Sequence, residues 1–129
     1  GGTITLEFSD RLIVDGDGPD LIVFENPFPG WVEPGSVAVS QDGENWFTWS
    51  CDTESPDYFG CAGLEPVLSH PDNCIDATDP DLAGGDAFDL ADIGLESARF
   101  VRITDAEVTG PGGFDLDAVA VVNGAPVEQ

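Results

Sequence analysis

The stretch Ser36–Trp49 constrains the fold of this chain more than any other. Val37 and Val39 alternate with Ala38 and Ser40, the period-two pattern of a half-buried strand. Asp42-Gly43, inside the connection Gln41–Asn45, is a strong short hairpin signal. Trp46, Phe47 and Trp49 follow as an aromatic-rich second strand. Two antiparallel strands cannot bury that much apolar surface alone. The rest of the chain has to build a facing sheet.

The remaining pattern supplies strands for it. Thr3–Phe8 alternates Ile4, Leu6 and Phe8 against Thr3, Thr5 and Glu7, and Arg11–Val14 is a shorter strand. Leu21–Phe24 is apolar throughout, as expected of a central strand buried on both faces. Ala87–Ile93, Ala98–Thr104 and Asp115–Val122 complete the set. Between them, Cys51–Gly85 has no sustained periodicity and reads as a long ordered loop excursion. Within it Asp79-Pro80 has the form of an N-cap and first position of one helical turn. No long helix and no internal repeat is visible, and 16 Gly and ten Pro fit a chain of short strands and turns. Residues 1–129 therefore read as a single all-β domain, an eight-stranded antiparallel jelly-roll β-sandwich.

Charge decides which partners are excluded. The chain carries 26 acids against Arg11, Arg99 and Arg102, has no lysine, and has a formal net charge of −23. Nucleic acids and anionic membranes need a cationic surface, which is absent. No window approaches ~18 apolar residues, so no membrane insertion is expected. No charged-then-apolar leader opens the chain, so any signal peptide is expected to have been removed or to lie upstream in a larger protein, and Gly1-Gly2 reads as a trimmed boundary. Self-repulsion at this charge destabilises a compact state. Bound divalent cations would relieve it, as would a salty medium, in which the Debye length shrinks to about 3 Å at 1 M. Solvated acidic loops with no specific ion are the plain alternative.

Three acidic motifs offer oxygen ligands. Asp15, Asp17 and Asp20 share a six-residue turn with Gly16 and Gly18. Calcium takes six to eight oxygens from carboxylates and carbonyls, so Ca2+ suits this turn. It is not an EF-hand, because the twelfth position is Asn26 and strands flank the turn. Asp115 and Asp117 fall on one face of a strand by period two. Asp86 and Asp89 follow Gly84-Gly85, and they, with Glu25, are further candidate ligands. Each motif could equally be a polar turn or face. Arg99 and Arg102 are expected to pair with carboxylates, and His70 to be a plain loop residue.

Other chemistries find less support. C-x2-C spacing is absent and His70 is the only histidine, which argues against zinc. No G-x-S-x-G or comparable nucleophile–base motif is present. A glycosidase carboxylate pair cannot be singled out among 26 acids. Of Cys51, Cys61 and Cys74, at least one stays unpaired if all bonds are intramolecular. A disulfide would fit an exported protein.

Three segments resemble the discoidin-type, galactose-binding jelly roll. Val37-Ala-Val-Ser-Gln-Asp-Gly-Glu-Asn-Trp46 is similar to that family's V-x-x-S-x-D-G-x-x-W hairpin, and Ala98-Arg-Phe-Val-Arg-Ile103 to its A-R-Y-V-R-I strand. Asp115–Gly124 resembles its closing strand. Val14–Asp20, Val23–Asn26, Gly84–Asp92 and Phe114–Val119 look more narrowly like domains of exported bacterial surface proteins. The resemblance implies a structural calcium, with Asp15, Asp17 and Asp20 near Asp115 and Asp117. In the narrower pattern a glycine stands at Cys74, which makes Cys74 the odd thiol. Cys51 ends the aromatic strand and Cys61 follows Gly60, so a Cys51–Cys61 disulfide is expected.

The resemblance also implies a function: a calcium-stabilised, non-catalytic module of a secreted or bacterial cell-surface protein. Its partner would be a glycan or another surface protein. The expected ligand-binding aromatics are Trp31, Trp49 and Tyr58, because aromatic faces pack on apolar sugar faces. The same residues could instead belong to the core. The alternative is a structural or assembly spacer without a small-molecule ligand.

Overall fold

The computed structural model describes residues 2–25, 32–69, 71–106 and 114–127. The described residues form ten strands in three antiparallel sheets. The first sheet has the order β1 (Thr3–Glu7), β8 (Phe100–Asp105), β4 (Gly35–Ser40), β5 (Trp46–Thr48). The second places β2 (Arg11–Val14) between β10 (Gly124–Pro126) and β7 (Ser97–Ala98). The third places β3 (Leu21–Phe24) between β6 (Asp86–Phe88) and β9 (Ala118–Val121). No helix among the described residues is long and apolar enough to cross a membrane.

The hairpin forms as its sequence directs. β4 and β5 pair from Ala38↔Thr48 to Ser40↔Trp46. Asp42 holds the turn: its Oδ1 accepts from the backbone N–H of Asn45 and Glu44 at 2.8 and 2.9 Å. These bonds to the ionised form hold its carboxyl well below the usual range. Val37 and Val39 face inward, registered against Ile103 and Val101 of β8, and meet Ile13, Leu21 and Val23 of the other two sheets. That sandwich-like contact is the main core. On the outer face of the first sheet, the Arg102 guanidinium lies 4.1 Å from the centre of the Trp46 ring. Arg99 pairs with Glu7 at 3.4 Å.

β3 is apolar throughout because both of its faces are covered. Leu21 and Val23 enter the main core, while Ile22 and Phe24 pack with Ala83 and, less deeply, Val67. The Cys51–Gly85 excursion supplies that second cover and is held by several ties. Ala62 exchanges backbone hydrogen bonds with Gly35 at 2.8 and 3.0 Å. The Asp86 carboxylate accepts from the N–H groups of Gly63 and Leu64 at 2.8 and 3.0 Å. Asp79 caps one turn, its Oδ1 accepting from Asp81 N and its carbonyl from Ala83 N, each at 2.9 Å.

Three sequence expectations need correcting. The run Ala98–Thr104 is not one strand. The chain leaves the second sheet after Ala98 and enters the first at Phe100, and Arg99 at the crossing bonds to Ser40 and Phe8 through its backbone. The second half of Ala87–Ile93 is a 3-10 turn, Leu90–Ile93. Asp89 caps it by accepting from Ala91 N, and Gly94 ends it at φ 72°, a left-handed conformation suited to glycine. A final short strand, β10, extends beyond the expected end at Asn123-Gly124. Its Gly and Pro carry no strand signal, and it survives as an edge strand on β2.

Cys51 and Cys61 are joined in a disulfide, and Cys74 is free and exposed. The loop between them closes because Gly60 lacks a side chain that would run into the Ser50 carbonyl. With ten residues of sequence separation, reduction is expected to cost about 2–3 kcal/mol in the loop-entropy model. Thiol titration of the unreduced protein should count one reactive cysteine per chain, and reduction should lower the melting temperature by roughly 10 °C. Two or more titratable thiols before reduction would refute the pairing.

Candidate metal centre and binding groove

The acidic turn between β2 and β3 is organised by Asp20. This carboxylate is fully buried. Its Oδ1 accepts from Gly16 N at 2.9 Å and from Asn123 Nδ2 at 2.8 Å, and its Oδ2 from Leu90 N at 2.8 Å. Its backbone bonds to Phe88 on one side and to Val122 on the other, at 2.8 Å each. Asp20 thus ties its own turn to the β6 segment and to the β9–β10 turn. Asn123 completes the tie by also donating to the Pro19 carbonyl at 3.3 Å.

Asp15, Asp20 and Asp89 each bring a ligand oxygen within 4.8 Å of the others. Among the described residues this is the one group of three or more metal-ligating side chains that converges so closely. Asp15 is exposed and Asp89 half-buried. Lost solvation, then repulsion from Asp20 and Asp89, raises the Asp15 carboxyl above its ordinary value. A divalent cation at this point would neutralise charges that now oppose one another. The residues are of the right kind for calcium, and backbone carbonyls of the glycine-containing turn lie within the same loop.

The other expected ligands lie elsewhere. Asp17 is exposed and not in the group; its carbonyl accepts from Asn123 Nδ2 at 3.5 Å. Asp86 serves Gly63 and Leu64, and burial raises its pKa against the opposing effect of those bonds. Asp115 and Asp117 precede β9 and are exposed. The β3–β9 register runs from Leu21↔Val121 to Phe24↔Ala118, so Asp115 and Asp117 lie at the far end of β3 from Asp20. The expected meeting of Asp15, Asp17 and Asp20 with Asp115 and Asp117 does not occur. Glu25 lies at that far end, 6% exposed. Burial first, then repulsion from Glu33 and Asp115, pushes its carboxyl up to about 7.

A groove of about 620 Å³ runs between the disulfide loop and the β6 segment. Trp49, Cys61 and Phe88 line it with Phe59, Glu65 and Asp92. Trp49 is 7% exposed, with its ring 5.0 Å from that of Phe88 and its Nε1 donating to the Asp89 carbonyl at 3.1 Å. It is a core residue at the groove wall and has no free face for stacking. Tyr58 is half-buried and takes a positive φ of 49° in the disulfide loop. Phe59, which sequence reasoning did not select, is 77% exposed on the groove. Its only sequence signal was its place beside Gly60. Trp31, Asn26 and His70 lie outside the described residues.

Compared with known proteins, the chain matches no family model, no curated protein and no solved structure.

Proposed function

We propose that this chain is a calcium-stabilised, non-catalytic binding module of a secreted or bacterial cell-surface protein, with a glycan as its ligand. The proposal reads the three sheets as a discoidin-type jelly roll and Asp15, Asp20 and Asp89 as a calcium site. The observation that carries the binding reading is the groove beside the disulfide loop. It combines an exposed aromatic, Phe59, with the carboxylates of Glu65 and Asp92. Sugars are held by such pairs: a ring face against an apolar sugar face and carboxylates on hydroxyls. The net charge of −23 favours neutral or cationic glycans over anionic ones. The disulfide fits an extracellular setting. A shallow groove binds weakly, and display in several copies would compensate through avidity.

The test is a glycan array probed with the calcium-loaded chain presented multivalently, alongside hydrolysis assays on the same sugars. Binding of neutral glycans without released product is the expected result. Phe59→Ala should weaken that binding about tenfold, equivalent to about 1.4 kcal/mol. It should leave stability within about 0.5 kcal/mol, because the side chain is exposed. Silence on the array would favour the spacer reading. Released product would place the chain in another functional class.

A further inference from the structure

Glu25, at the end of β3 remote from the acidic turn, is a charge without a counter-charge among the described residues. It is 6% exposed, yet its buried Oε2 accepts no hydrogen bond from the described residues. The carboxylate takes one backbone bond, from Asp115, and the strongest charges acting on it are those of Glu33, Asp115 and Asp117, all negative. The three arginines of the chain are placed elsewhere. Arg99 pairs with Glu7, Arg102 lies over Trp46, and Arg11 lies in β2 beside Gly124. An ionised carboxylate left unpaired at this depth is costly, and removing that cost requires a proton or a cation.

The surroundings suit a cation. Gly63, at φ +91°, packs its backbone against the Glu33 carbonyl, the Phe114 ring and Glu25 Oε2, with no room for a side chain. A Cβ there would lie 3.1 Å from Glu25 Oε2 and 2.7 Å from the Glu33 carbonyl oxygen. Two oxygens of different chemistry, a carboxylate and a backbone carbonyl, thus approach the same point of the Gly63 backbone. Asp117 is fixed at the rim by its backbone N–H, which donates to the Phe24 carbonyl at 2.9 Å. The exposed side chains of Asp115 and Asp117 belong to the same short stretch.

We propose that Glu25, Asp115 and Asp117, with the Glu33 carbonyl, form a second calcium site at the opposite end of β3 from Asp15, Asp20 and Asp89. Mutual repulsion holds these carboxylates apart, and the ion draws the two exposed ones toward Glu25. Hard oxygen ligands in a flexible, irregular set are the environment that calcium accepts and magnesium does not. The site is independent of the groove and of the first cluster.

The test is a calorimetric titration of the whole, chelator-stripped chain with calcium chloride at low salt. Two ions per chain are expected for the unmodified protein. Glu25→Gln, and separately Asp115→Asn with Asp117→Asn, should each leave one. Asp89→Asn should also leave one, and combining it with Glu25→Gln should leave none. The exposed aspartates can be changed without disturbing the core, so a folding defect in Glu25→Gln would not obscure the result. Amide NMR shifts on calcium addition should move Gly63 and Asp117 in the Asp89→Asn protein. Unchanged stoichiometry and affinity in the Asp115→Asn, Asp117→Asn protein would overturn the second site. If only Asp89→Asn left the ion count unchanged, the first site would fail and the second would stand.

Discussion

Asp20→Ala is expected to destabilise the domain by about 4 kcal/mol even in the presence of chelator, lowering the melting temperature by roughly 15 °C. The effect does not depend on a metal. Asp20 is fully buried, and its two oxygens accept from Gly16 N, Asn123 Nδ2 and Leu90 N. Alanine would remove the acceptor of all three donors, of which Leu90 N is buried and the other two part-buried. A buried donor left unsatisfied costs about 1–3 kcal/mol, and bonds to a charged acceptor lie at the upper end. Asp20→Asn keeps the shape but turns one acceptor into a donor facing a donor, and should cost about half as much. Urea melts with an unchanged slope would attribute the loss to the folded state. A loss below about 1 kcal/mol for Asp20→Ala would show that the three loops hold together by other means.

Much of the fold was legible because local signals and burial agree. The hairpin announces itself through Asp42-Gly43 and the alternation of Val37 and Val39, and its turn is satisfied within five residues. Leu21–Phe24 is legible because a strand covered on both faces has no polar positions to interrupt it. The crossing at Arg99 was not read from the run Ala98–Thr104, although the alternation slips there: Ala98 is buried and then Val101 and Ile103, a step of three where one strand would take two. Strand β10 was hidden because its Gly and Pro owe their strand state to β2 alone. At the candidate sites, residue types were legible and pairings were not. Asp20 and Asp89 are 69 residues apart in a chain of 129, and only the β3–β6 register brings them together. The same topology sends Asp115 and Asp117 to Glu25. Glu25 drew attention as one acid among 26, but its burial and its unpartnered oxygen are properties of the packed structure alone.

Calcium is expected to produce the second large effect. At −23, repulsion opposes the folded state; Asp15, Asp20 and Asp89 converge, and Glu25 is buried with negative charges acting on it. An ion bound only by the folded state stabilises it by about 2.7 kcal/mol at one hundred times its dissociation constant. That corresponds to a rise in melting temperature of roughly 10 °C for a domain of this size. Sodium chloride at 1 M shrinks the Debye length to about 3 Å. It should raise the melting temperature in chelator and narrow the gap without closing it, because screening relieves the exposed charges more than it does Asp20 and Glu25. A direct test of the central claim is therefore the thermal unfolding of the unmodified chain at low salt, in strong chelator and in excess calcium. The account predicts a transition roughly 10 °C higher in calcium, reversed by adding chelator. Superimposable transitions in the two solutions would contradict it.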